Sequence, residues 1–148
     1  MNDPKGVPLT VYLEGSDGNA AAVLREVESL VRGLVENDEG GSIDVQGLPL
    51  TPEDRRHLEE ELGVGEVRVE IDAMGVTRVQ ETAVPGVWWV VHHNEAGELI
   101  GEFIEVGYCP EILITPAEDV KEGWDALRAR LTEKEYSHNR RSGGNGSE

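Results

Sequence analysis

Between Glu66 and Val106 the chain runs through four apolar or alternating stretches separated by short turn signals, and this succession constrains the fold more than any other feature. In EVRVEI (Glu66–Ile71) apolar and charged residues alternate, as on a half-buried strand. Gly75 marks a turn, and Val76–Val84 reads as a second strand with weaker alternation. Pro85-Gly86 marks the next turn. VWWVVHH (Val87–His93) is apolar and rich in β-formers, so it is expected at the centre of a sheet. NEAG (Asn94–Gly97) then connects to Leu99–Val106, whose candidate core residues are Ile100, Phe103, Ile104 and Val106. Sequential strands joined by short turns pair antiparallel as a meander.

The flanking segments carry a helical period. In Ala20–Glu36, Val23, Leu24, Val27, Leu30, Val31, Leu34 and Val35 recur at spacings of three and four, which gathers them on one face. Asn37–Ser42 (NDEGGS) reads as the loop that stops this helix. Thr51-Pro52 opens the next helix, with Thr51 as N-cap, Pro52 at the first position and Glu53 and Asp54 at the positive end. Leu58 and Leu62 face inward, and Gly63 is the stop. Pro110–Leu113 suggests a short helical turn, and Thr115–Glu118 a capping box. The box opens a last helix with Val120, Trp124, Leu127 and Leu131 as inner stripe and Trp124 as a core residue. Leu9–Leu13 (LTVYL) is a further β-like run, broken by GSDG at Gly15–Gly18. The expected fold is α+β: an antiparallel sheet of about four or five strands with helices packed on one face. Residues 1–135 would form a single domain, and the polar, glycine-rich 136–148 a disordered tail.

Charge narrows the function. The 148 residues hold 30 acidic and 13 basic side chains, a formal net charge of -17. Such a surface repels phosphate backbones and anionic membranes, and suits either simple solubility or a basic partner. The start, Met1–Pro8, has no apolar signal core, no apolar run is long enough to span a membrane, and one cysteine makes no internal disulfide. A cytoplasmic location is the expectation.

The chemistry-bearing residues form no complete constellation. His92 and His93 are neighbours on a strand and so point to opposite faces. Cys109 has no CxxC partner; a site from His92 or His93, Cys109 and a carboxylate is the metal arrangement the spacing leaves open. Cys109 itself reads either as a small buried hydrophobe or as a thiol activated by the turn beginning at Pro110. Neither a phosphate-binding glycine loop nor a nucleophile elbow occurs. We therefore expect no enzyme, no cofactor and no bound metal. Trp88 and Trp89 alternate across the sheet, so one of them is a candidate for an exposed binding patch.

Three segments in order, GLPLTPEDRRHLEEELGVGEV (Gly47–Val67), QETAVPGVWWV (Gln80–Val90) and GEFIEVGYCPEIL (Gly101–Leu113), resemble the conserved C-terminal region of the HupH/HyaF hydrogenase expression proteins. The similarity spans roughly residues 47–131, and longer members carry additional sequence. The resemblance implies an accessory, chaperone-like role in NiFe-hydrogenase maturation, acting on the small-subunit precursor, which carries iron–sulfur clusters and a twin-arginine export signal. The alternative within the same pathway is a protein that handles metal or iron–sulfur clusters. Positions that match the family motifs are Glu81, Pro85, Gly86, Trp88, Glu105, Val106, Pro110 and Glu111. The partner-binding candidates are Glu81, Trp88, Trp89, Glu105, Tyr108, Pro110 and Glu111. Exposed strand edges also leave room for a homodimer.

Overall fold

The computed structural model describes residues 18–143. The β-like run at Leu9–Leu13, most of the GSDG break and the last five residues of the expected tail lie outside them. The chain divides into two compact units, one up to Pro110 and one from Glu111, where the sequence suggested a single domain to residue 135.

In the first unit, α1 (Gly18–Asn37) is followed by β1 (Gly41–Asp44), α2 (Pro52–Leu62), β2 (Arg68–Asp72), β3 (Val76–Glu81), β4 (Val87–His93) and β5 (Leu99–Val106). The strands form one antiparallel sheet in the order β1-β5-β4-β3-β2, so the apolar β4 is central as expected. The meander β2 to β5 agrees with the reading from alternation. β1 does not: Gly41 and Ser42 were expected in a loop, yet Gly41 pairs with Val106 and Asp44 with Phe103. Four residues beginning with glycine carry no periodic signal, and it is the ladder to β5 that makes them a strand. Gly40 precedes it because a Cβ there would lie 1.9 Å from the Val106 carbonyl oxygen. The backbone of the entering loop can approach β5 only without a side chain.

One face of the sheet carries α1 and α2. Val23, Val27 and Leu34 of α1, Leu58 and Leu62 of α2, and Ile43, Val87, Ile104 and Val106 of the sheet form a continuous buried cluster, with Trp89 packed at its border. Burial of large aliphatic side chains of this kind contributes about 1.5–3 kcal/mol each. The opposite face carries a smaller buried cluster of Val79, Trp88 and Val90, with Val69 and Phe103 against it. Ile100, expected in the core, is 60% exposed. α2 begins as its sequence requires: the Thr51 hydroxyl accepts from the Asp54 N–H at 3.0 Å, and the Asp54 carboxylate accepts from the Thr51 N–H at 3.1 Å. This reciprocal pair satisfies two of the N–H groups left over at a helix start.

The second unit is a 3-10 turn at Glu111–Leu113 followed by α3 (Ala117–Ser142). Glu118 and Asp119 in the first turn and Arg140 and Arg141 in the last oppose the helix dipole. The N-cap is Pro116, with no side-chain cap. Thr115 therefore lies outside the helix, and the expected capping box does not form. Residues 136–142, expected to begin a disordered tail, are the last turns of this helix. None of its residues is buried: Val120, Trp124, Leu127 and Leu131 are 52–58% exposed, so Trp124 is not a core residue.

Candidate functional site

Antiparallel register gathers three of the sequence candidates in one row. Glu81 of β3 pairs with Trp88 of β4, Trp88 pairs with Glu105 of β5, and Glu105 pairs with Ser42 of β1. Cross-strand partners share a face, so Ser42, Glu105, Trp88 and Glu81 cross four strands on the side away from α1 and α2. Two strand spacings put the Glu81 and Glu105 backbones about 10 Å apart. The two glutamates thus stand one on each side of Trp88 in the row.

The turns at this end of the sheet hold the row in place. Trp88 donates its indole N–H to the Gly107 carbonyl at 3.0 Å, and Gly107 donates to the Gly86 carbonyl at 2.9 Å. Gly86 sits at φ 89°, a conformation that glycine adopts without strain. The Thr82 hydroxyl donates across the same turn to the Val87 carbonyl at 2.9 Å. Glu81 accepts from the Glu66 N–H at 3.3 Å. Tyr108, next after Gly107, is 70% exposed. Its hydroxyl donates to Asp38 at 2.7 Å just beyond the end of α1, and that hydrogen bond raises the phenol's pKa.

The remaining candidates fall elsewhere. Trp88 is buried at 7% exposure and Trp89 is half-buried, so neither presents the exposed aromatic face that strand alternation alone suggested. Pro110 is fully buried. Glu111 is exposed and opens the second unit's 3-10 turn. Trp89 lies on the helix-covered face with a different task. It donates to Glu102 at 2.8 Å, while Arg55 of α2 grips the same carboxylate with two N–H groups at 2.9 and 2.5 Å. Burial pushes the Glu102 carboxyl up, but the hydrogen bonds from Arg55 and Trp89 and the guanidinium charge outweigh it and hold the pKa below the usual value. The bond to Glu102 raises the Arg55 pKa in turn. The sequence reading passed over this network, although its signal was present. Glu102 has the strand parity of Ile104 and Val106, and Arg55 precedes Leu58 by three residues.

The histidines stand apart as strand geometry requires. His92 shares a 2.8 Å hydrogen bond with Thr77, and the His93 Nδ1 is buried without a protein partner. Cys109 is exposed rather than packed. Among the described residues no three His, Cys, Asp or Glu side chains gather as a metal site, and no helix is long and apolar enough to cross a membrane.

A five-stranded antiparallel sheet with two helices on one face and a carboxylate-flanked tryptophan row on the other places the chain among α+β proteins whose distinctive residues lie at strand ends and turns. The family follows from comparison: residues 18–133 match the C-terminal conserved region of the HupH hydrogenase expression protein, and the chain belongs to that family. The hydrogenase expression/formation protein HoxQ of Azotobacter vinelandii is 36% identical over 87 residues, 59% of this chain and 31% of that protein. The HupH of Rhodobacter capsulatus is 35% identical over 121 residues, 78% of this chain and 42% of that protein. The chain thus spans well under half the length of these relatives. Among solved structures, the hydrogenase expression protein HupH from Thiobacillus denitrificans ATCC 25259 superposes with a TM-score of 0.74 at 41% identity, covering 80% of this chain and 99% of that one.

Proposed function

We propose that the chain acts in NiFe-hydrogenase maturation as a non-enzymatic, chaperone-like protein of the cytoplasm that binds the hydrogenase small-subunit precursor. The observation that carries this reading is membership of the HupH family over residues 18–133, together with the hydrogenase expression/formation names of the relatives. Charge supports a basic ligand. Residues 1–110 hold 22 acidic and seven basic side chains, a net -15, and an arginine-bearing export signal complements such a surface. Nucleic acid and anionic membranes do not. With both tryptophans withdrawn into the sheet, the contact is assigned to the carboxylates Glu81 and Glu105 and to the exposed Tyr108 beside the same turns, with Trp88 fixing the strand geometry beneath them.

Co-purification with the small-subunit precursor, with and without its export signal and at low and high salt, tests this. Binding that needs the signal and weakens with salt supports capture of the basic segment. Binding that ignores the signal moves the contact to the subunit body. Absence of binding in both forms overturns the small-subunit reading.

A further inference from the structure

The stripe on α3 is apolar, exposed and bordered mainly by cationic side chains. Val120, Trp124, Leu127 and Leu131 follow one another at spacings of four, three and four, so they share one side of the helix. At about 100° per residue, Lys121 and Arg128 lie along one border of that stripe and Arg130 and Lys134 along the other. The carboxylates Glu118, Glu122, Asp125 and Glu133 lie on the far side; Asp119, in the first turn beside the Arg130 border, and Glu135, past the end of the stripe, are the exceptions. Arg128 reinforces the pattern by standing 4.4 Å over the Trp124 ring. The surface that fits is apolar and bordered by carboxylates.

The same chain carries such a surface. After α2, Val64 is 69% exposed and Val67 is 42% exposed. The exposed Glu60, Glu61 and Glu66 adjoin them in sequence, with Arg68, which donates to Gln80, as the one neighbouring cation, in the part of the chain whose net charge is -15. Two rival occupants fit less well. A second α3 would bring cationic borders against cationic borders. An anionic membrane would repel residues 1–110.

We propose that α3 of one copy docks on the acidic Val64–Val67 surface of a second copy, in a reciprocal two-fold dimer. Two-fold symmetry makes each such contact occur twice, which doubles the apolar area covered. The cationic and anionic borders fix the direction of docking and make it sensitive to salt, since exposed charges are screened beyond about 10 Å at 0.1 M ionic strength.

The test is a charge exchange read by sedimentation velocity and light scattering on the full chain at low salt. One variant reverses the helix borders (Lys121→Glu, Arg130→Glu, Lys134→Glu); the other reverses the patch (Glu61→Lys, Glu66→Lys). All five positions are exposed. The wild type is expected to dimerise and to dissociate as salt rises, and each variant alone is expected to be monomeric. An equimolar mixture of the variants is expected to dimerise again, because each reversed border meets a reversed patch. Recovery in the mixture also shows that both variants are folded. A wild type that stays monomeric at low salt overturns the proposal, as does a variant that still dimerises alone or a mixture that stays monomeric. Monomeric wild type that sediments with anionic phosphatidylserine vesicles overturns it in favour of a membrane surface.

Discussion

α1 and α3 are both amphipathic helices with apolar residues at spacings of three and four, yet they meet opposite fates. The α1 stripe is covered along most of its length: Val23 is 1% exposed and Val27 is 4% exposed, within the cluster shared with α2 and the sheet. Only Val35 near the helix end, expected on the same face, is left 76% exposed because the sheet does not reach it. The α3 stripe is more than half exposed along its whole length. Charge divides the same way. Residues 1–110 are net -15, whereas residues 111–148, with six basic and eight acidic side chains, are net -2. Periodicity states that a helix has a face to cover, and leaves open what covers it.

The largest break in that comparison should come from matched truncations. Leu58→Ala, at a site with no exposure, is expected to cost about 2–5 kcal/mol in urea unfolding, through lost transfer energy and a residual cavity. Leu127→Ala, 53% exposed, is expected to stay within about 0.5 kcal/mol when measured at high salt. Equal losses would mean that the α3 stripe is as well covered as the core.

The buried ion pair comes next. Arg55→Met removes one partner from a carboxylate whose side chain is 7% exposed, and chemical denaturation is expected to show a loss of about 1–3 kcal/mol. That figure is reduced from the cost of a fully buried pair because Arg55 itself is 39% exposed. The pH dependence has a definite sign. The folded Glu102 pKa is depressed, so its contribution is present above the unfolded carboxyl value of about 4.3 and is lost as pH falls through the lower folded value. Acid unfolding of Glu102→Gln should lack that component. An identical acid limb in both proteins would show that the pair contributes nothing to pH-dependent stability.

Helix starts sharpen the contrast further. Thr51→Ala is expected to cost about 1 kcal/mol by thermal unfolding, since its hydroxyl caps α2. Thr115→Ala, ahead of an N-cap that uses no side chain, should change helicity and stability by less than about 0.5 kcal/mol. The smallest effect is expected for Tyr108→Phe. It removes an exposed hydrogen bond to Asp38, so the unfolding midpoint should stay unchanged. Reduced precursor binding with unchanged stability would place Tyr108 in the contact.

Much of the first unit could be read in advance. β4 and β5 have the bounds that their apolar runs suggested, and α2 begins at the Thr51-Pro52 signal. The candidate site was legible as residues but not as a place. Glu81, Trp88 and Glu105 are 24 positions apart end to end, and only strand register sets them side by side. The missed Glu102–Arg55 pair shows the reverse case. Its parity was visible, but a charged residue at an inward position looks like a solvated one until its partner is located 47 residues away.

By itself, the sequence determined whatever depends on neighbours along the chain: the change of period from helix to strand, the turns at Gly75, Pro85-Gly86 and Asn94–Gly97, the cap of α2 and the excess of negative charge. Local sterics and hydrogen bonding suffice for these. Tertiary structure decided whatever depends on distant partners. It made a strand of Gly41–Asp44, buried Trp88, clasped Glu102 and left the α3 stripe in solvent. Pairing and burial are properties of two surfaces, and one stretch of sequence specifies only its own.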